Sequence, residues 1–286
     1  MSLITEIVNY GPGGIFSAYA ARPKLARPPL PGIIVIQEIW GADDHIEDVT
    51  RRFAEAGYAA FTPDLYARHG QRPSPLERLR VKELQEFMNL LPVSVYFDPE
   101  KRAQAMKEKG GNRADHLQET FDALFAPIMR SPRHDLPQFM DPLLELISFL
   151  YKKHEPVRGQ KLGSVGFCLG GTLSGALATK SREIAAAVVY YGNPMPDEDL
   201  DAIACPILGH YAENDPRITP NIPVLAEKLK AKGKSFEYHI YPKSHHAFFN
   251  DNRPSYSVTS ARLAFVRTLQ FFAQHLAGII PLAKPR

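Results

Sequence analysis

The chain has 286 residues, 44% hydrophobic and 23% charged, a composition that suits a soluble globular protein with one large core or two small ones. Its formal charge of +3, from 34 basic and 31 acidic residues spread along the chain, gives no warrant for a nucleic-acid partner. Its 2 cysteines, Cys168 and Cys205, form no CxxC or Cys/His cluster, which argues against a disulfide framework and a structural zinc site. The N-terminus lacks a basic stretch followed by an apolar one, and no apolar run is long enough to span a bilayer. A cytoplasmic protein without a membrane or nucleic-acid partner is therefore expected.

Residues 3–8 and 15–21 read as two strands joined by Gly11-Pro12-Gly13-Gly14, a hairpin-like opening. Lys24 to Pro31 is a proline-rich turn. Gly32 to Ile36 is a short continuous apolar run, the pattern of a strand buried on both faces of a parallel sheet. It ends in Gln37-Glu38-Ile39-Trp40-Gly41. Asp44 to Ala56 places Ile46, Val49, Phe53 and Ala56 on one helical face, and Gly57 closes it. Tyr58 to Thr62 is the next strand, followed by Pro63-Asp64-Leu65-Tyr66. Strand, helix, strand predicts a βαβ unit and hence a parallel sheet.

Pro75 to Leu91 reads as a charged helix and Asp141 to Lys153 as an amphipathic one. Between them Val93 to His134 mixes Lys, Glu, Gly and Pro with the aromatics Tyr96, Phe97, Phe121 and Phe125. So long a connection exceeds what one crossover needs. It predicts a helical insertion at about 90–140, packed over the sheet edge or the site, with Gly110-Gly111 as a flexible point. Strands follow at Lys161–Phe167, Ala185–Tyr191, Cys205–Tyr211 and Ser235–Tyr241. Helices are expected at Thr172–Thr179, Pro223–Lys232 and Tyr256–Leu276. The expected architecture is α/β, a mostly parallel sheet of about eight strands flanked by helices, in a single domain over residues 1–286.

Chemistry concentrates at Gly166-Phe167-Cys168-Leu169-Gly170. A Gly-x-Cys-x-Gly at a strand-to-helix junction has the form of a nucleophile elbow, with sulfur in place of the usual serine oxygen. The helix N-terminus points its dipole at the sulfur, favouring a thiolate and any oxyanion formed beside it. Active sites of open parallel sheets lie at the carboxyl ends of strands, and Cys168, Asp215 and the His245/His246 pair fall there. Their order, nucleophile, acid, histidine, is that of the α/β-hydrolase fold. An imidazole can take the thiol proton and return one to the leaving group, while a carboxylate fixes the imidazole tautomer. Asp197, Asp199 and Asp201 cluster in an earlier polar loop, and His210 and His239 lie inside strands, so these are weaker candidates. Glu38 ends a strand beside the expected oxyanion loop.

Together, Gln37-Glu38-Ile39-Trp40-Gly41, Pro63-Asp64-Leu65-Tyr66, Gly166-Phe167-Cys168-Leu169-Gly170-Gly171, Asp215, His246-Ala247-Phe248 and the run through Arg267-Thr268-Leu269 resemble the dienelactone hydrolase (carboxymethylenebutenolidase) family of α/β-hydrolases. The resemblance implies a triad of Cys168, His246 and Asp215, with His246 favoured over His245. It implies a Glu38 that accepts a hydrogen bond from the resting thiol, and an oxyanion hole built from the backbone N–H groups of Ile39 and Leu169. Family substrates carry a carboxylate held by two arginines. Arg80, or else Arg78, matches one; Asn250 stands at the position of the other, with Arg253 near but not aligned. Trp40 joins Arg80 and Asn250 as an expected substrate contact. The implied activity is cleavage of a lactone or ester through a cysteinyl acyl-enzyme, with no metal or organic cofactor, in a monomer or homodimer. Two alternatives stand beside it: a small-ester carboxylesterase without dienelactone activity, and a non-catalytic relative in which Cys168 senses oxidants.

Overall fold

The computed structural model describes residues 2–92, 95, 98–130 and 136–278. Strands β1 (Leu3–Tyr10) and β2 (Phe16–Pro23) form an antiparallel hairpin, and β2 runs antiparallel to β4 (Ala59–Pro63). From β4 onward every pairing is parallel, through β3 (Gly32–Ile36), β5 (Leu162–Phe167), β6 (Ile184–Tyr190), β7 (Ile207–Asn214) and β8 (Phe236–His245). The spatial order is β1-β2-β4-β3-β5-β6-β7-β8, an eight-stranded sheet. All residues of β3, β4 and β5 are buried, as continuous apolar runs at the centre of a sheet covered on both faces require. The outer strand β8 mixes exposed with covered residues and tolerates Pro242, whose missing N–H costs least at an edge.

Strand alternation splits the core in two. Ile33 and Val35 point to one face, where they join Ile46, Val49 and Phe53 of α1 (Asp44–Glu55) and Phe272 of α8 (Val258–His275). Ile34 and Ile36 point to the other, under α2 (Arg78–Asn89), α5 (Pro137–Lys152), α6 (Leu169–Lys180) and α7 (Ile222–Ala231). Each such aliphatic side chain, removed from water, contributes roughly 1.5–3 kcal/mol before the entropy of ordering is counted. The Asp43 carboxylate caps α1 by accepting the Ile46 N–H at 3.0 Å.

The long connection between β4 and β5 is helical. It holds α2, α3 (Pro99–Lys109), α4 (Ala114–Arg130) and α5. Helix α4 buries Leu117, Phe121 and Leu124, and Phe121 stacks on Phe125 at 4.1 Å. Helix α3 is mostly polar and buries only Arg102 and Met106 among its residues. Gly110 caps α3, and Gly111 has φ +59°. Tyr96 and Phe97, expected to contribute to this cover, lie outside the described residues.

Candidate active site

The chain reverses at Cys168 with φ +54° and ψ −112°, between the last residue of β5 and the first turn of α6. A non-glycine residue held so costs of order 1–3 kcal/mol, which the surroundings must offset. Its N–H donates to the Tyr190 carbonyl at 3.0 Å, and its carbonyl accepts the Thr172 N–H at 3.2 Å. The turn closes only because its flanks lack side chains. A Cβ on Gly166 would lie 1.8 Å from the Gly170 carbonyl oxygen, and one on Gly170 would lie 2.3 Å from that of Ile36. Cys168 is left half-buried, while Cys205 is buried and its thiol is pushed up to about 12 by desolvation.

Four strand ends deliver the other groups to the same edge. Asp215 follows β7 and is 3% exposed. His246 follows β8, and its Nδ1 lies 2.6 Å from Asp215 Oδ2; His245 instead points to solvent. Burial opposes charge on the His246 ring, but the Cys168 sulfur beside it and hydrogen bonds with Asp215 and Cys168 outweigh that and push the ring up to about 10. Asp215 pairs the opposite way. Burial raises it, yet the His246 hydrogen bond and the charges of His246 and Arg217 hold it below the usual carboxylate range.

Glu38, two residues beyond β3, is 2% exposed. Its Oε1 accepts the Tyr191 hydroxyl at 3.1 Å and its Oε2 accepts the Asn250 amide at 2.7 Å. Both donors are neutral groups, so the carboxylate keeps its charge beside them. Burial first, then the Glu38 charge, raises Tyr191 well above the ordinary phenol value, so the hydroxyl keeps the proton it donates. Its ring also packs 5.0 Å from that of His246. Tyr191 was legible only as the last residue of a strand; a partner 153 positions away leaves no local signal.

Next to Glu38, the Ile39 carbonyl accepts the buried Tyr66 hydroxyl at 2.7 Å, which orients this peptide. Among the described residues neither the Ile39 N–H nor that of Leu169, first in α6, donates within the chain. Both are thus available as donors.

The expected substrate contacts are placed differently. Arg80 is not turned to the site: its Nη2 pairs with Glu119 Oε2 at 2.6 Å and its Nη1 donates to Ser74 Oγ at 3.2 Å, because α4 supplies a nearer carboxylate. Arg78 pairs with Asp44 and Glu47. Asn250 is fully buried and spends its amide on Glu38 and on the Asn252 N–H. Trp40 lies between the edge of Phe125 at 6.4 Å and the Arg253 guanidinium at 5.1 Å. It lines a cleft of about 630 Å³ together with Val81, Gln85 and Asn89 of α2 and Asn252. No carboxylate pairs with Arg253 among the described residues, and its Nε and Nη1 have no hydrogen-bond partner. Among those residues, too, no group of three or more His, Cys, Asp or Glu is disposed to hold a metal ion.

The family model described as the dienelactone hydrolase family matches residues 16–276, the whole sheet except β1. The chain belongs to the dienelactone hydrolase family. A relative from Saccharolobus solfataricus, provisionally named a carboxymethylenebutenolidase, is 34% identical over 273 residues, covering 93% of this chain and 96% of its own. One of the same provisional name from Escherichia coli strain K12 is 29% identical, covering 92% of this chain and 84% of its own. A crystal structure from Klebsiella pneumoniae subsp. pneumoniae MGH 78578, provisionally named a dienelactone hydrolase, superposes with a TM-score of 0.70 at 26% identity, over 96% of this chain and all (100%) of that one. The dienelactone hydrolase-like phosphotriesterase P91 has the same fold, with a TM-score of 0.64 at 17% identity over 96% of this chain and 100% of its own. The family's α/β-hydrolase fold agrees with the sheet order and with the site at the carboxyl ends of β3, β5, β7 and β8.

Proposed function

We propose that this member of the family hydrolyses a lactone or carboxylic ester of dienelactone type through Cys168 as nucleophile. The observation that carries the reading is the His246 ring, bonded to Asp215 and set beside the half-buried sulfur of Cys168. His246 holds the proton taken from the Cys168 thiol, and the sulfur, as thiolate, attacks the carbonyl carbon, forming the C–S bond. The carbonyl electron pair moves to oxygen, which the N–H groups of Ile39 and Leu169 receive. Loss of one such donor typically costs about 10²–10³ in rate. The tetrahedral adduct collapses, the C–O bond to the leaving group breaks, and His246 gives that oxygen its proton. Water then attacks the thioester while His246 takes its proton, the C–S bond breaks, and His246 returns the proton to the sulfur, so the acid leaves with the thiol restored. Asp215 keeps the ring oriented and stabilises its charged form throughout. Glu38 opposes a free thiolate in the resting protein by like charge, and Arg253 is the guanidinium left to receive an anionic substrate group.

A small-ester carboxylesterase is the second reading. It is favoured by the commitment of both Arg80 and Asn250 to intramolecular partners. One panel separates the two: lactones with and without a carboxylate, beside aryl esters of increasing size, with intact-mass detection of acyl adducts. The first reading expects the carboxylated lactones to be preferred and Arg253→Leu to raise their KM alone. The second expects aryl esters to be preferred whatever stands at 253. Both expect a mass increase on Cys168, no turnover in Cys168→Ala, and unchanged turnover in Cys205→Ala. Wild-type turnover by Cys168→Ala would overturn both.

A further inference from the structure

Two bonds outside the reacting groups tie the same two segments that meet at Glu38. His45 stands in the first turn of α1, just after the loop that carries Glu38, and is 2% exposed. Its Nδ1 donates to Asp251 Oδ1 at 2.9 Å, and its Nε2 is buried without a partner, so Asp251 alone orients the ring by hydrogen bonding. Arg52, two turns further along α1, donates to Asp251 Oδ2 at 2.7 Å and also pairs with Asp48 at 2.6 Å. The His45 hydrogen bond first, then that of Arg52, more than offset burial and hold Asp251 well below the usual carboxylate range. Asp251 adjoins Asn250, whose amide reaches Glu38 at 2.7 Å across 212 positions of sequence. The segment that begins at His246 is also held by the His246–Asp215 bond and by the buried rings of Phe248 and Phe249. Its own turns hold it too: the Asn250 N–H donates to the Ala247 carbonyl at 3.0 Å, and the Asn250 carbonyl accepts the Arg253 N–H at 3.1 Å. The Ser257 N–H donates to the Phe248 carbonyl at 3.0 Å. Among the described residues, only Asp251 ties the segment to α1 by hydrogen bonds. Phe249 itself packs against the His45 ring at 6.3 Å.

We infer that Asp251 is a positioning residue: clamped by His45 and Arg52 of α1, it holds Asn250 against Glu38 and so sets where the Glu38 charge stands relative to the Cys168 sulfur. This rests on the proposed thiol chemistry. The physical chain is short. Without the clamp the Asn250 amide withdraws, and Glu38 loses one of its two donors. A buried carboxylate short of a donor moves toward water or takes up a proton. Either change lifts its repulsion of a thiolate, so the resting sulfur becomes more reactive while the ordered site becomes a poorer catalyst.

The test is a double-mutant cycle of Asp251→Ala and Glu38→Gln with two readouts, kcat and KM for an aryl ester and the alkylation rate of Cys168 by iodoacetamide at pH 7. Asp251→Ala should lower kcat about tenfold with KM within about twofold, and should speed alkylation several-fold. In the Glu38→Gln background the same substitution should change neither rate appreciably, because the group it acts on has lost its charge. Asp251→Asn, which keeps an acceptor for His45, should recover part of kcat. Wild-type rates in Asp251→Ala, or an equal loss with and without Glu38, would overturn the inference. If Asp251→Ala does not fold, Arg52→Gln removes one tie only and is read in the same cycle. If no ester is hydrolysed at all, the proposed reaction fails, yet the alkylation arm still decides whether Asp251 acts on Cys168 through Glu38.

Discussion

Adjacent histidines separate sharply at the residue scale. His245 closes β8 with its side chain in water, and one step later the backbone turns so that His246 faces inward to Asp215. His246→Ala should therefore cost at least about three orders of magnitude in kcat, since members of such a set act as a unit, while His245→Ala stays within about twofold. Steady-state kinetics on both variants checks this, and a dead His245→Ala beside an active His246→Ala would reverse the assignment. In the sequence the pair was ambiguous on residue type and position. Only the family resemblance favoured one member, because strand-end geometry is a matter of one residue's rotation. Glu38 was legible in the same way, as a carboxylate at a strand end. Its partners Tyr191 and Asn250 had no such signature. Both contacts join strand ends far apart in the chain, and Asn250 was read as a ligand contact.

Elements followed the sequence where the pattern was strong. Strand β3 spans Gly32–Ile36, the apolar run expected of it, since five consecutive apolar residues can only be buried on both faces. Helix α6 begins at Leu169, three residues before the expected start, because Gly170 and Gly171 lower helix propensity while the elbow needs them small. The region at 90–140 was readable as helical but not in its contacts. Arg80 illustrates the reason: a long side chain on a surface helix takes whichever carboxylate the tertiary fold brings near, here Glu119 of α4. Helix α4 touches Trp40, two residues beyond Glu38, through Phe125 at 6.4 Å. Replacing residues 98–130 by a short linker changes loop-closure free energy by only about 0.3 kcal/mol, but it also takes Leu117, Phe121 and Leu124 out of the core, so folding of the trimmed protein is checked first by circular dichroism. The trimmed protein should shift its kcat/KM ratio for bulky over small esters by about tenfold, with iodoacetamide labelling of Cys168 retained. An unchanged ranking in a folded, trimmed protein would remove the insertion from substrate selection.

At the scale of the molecule, the paired titrations of the site are a stability statement. The folded value of His246 is raised from 6.5 to about 10. Its charged form therefore adds stability that is fully present below about pH 6.5 and is lost as the pH rises through about 10. Asp215 works from the other side: its lowered value adds stability present above the ordinary carboxylate range and lost as the pH falls through its folded value. The melting temperature should thus fall between pH 7 and 10 more steeply for the wild type than for His246→Gln, measured by calorimetry in matched buffers. Parallel slopes would mean that the ring does not carry its charge in the resting fold. This coupling was not legible in the sequence. It depends on the 2.6 Å approach of Asp215 and on the neighbouring sulfur, which arise only when β5, β7 and β8 lie side by side.

The helix-end setting of Cys168 bears on how long the protein lasts as well as how fast it works. A sulfur kept permanently as thiolate would be spent by peroxide or by passing electrophiles between turnovers, and each loss beyond the sulfenic stage is permanent. On the proposed reading, Glu38 lowers the reactivity of the sulfur between turnovers. The yield over a working lifetime is then set by selectivity between substrate and oxidant. The buried carboxylate and its two neutral donors become determinants of total turnovers before inactivation.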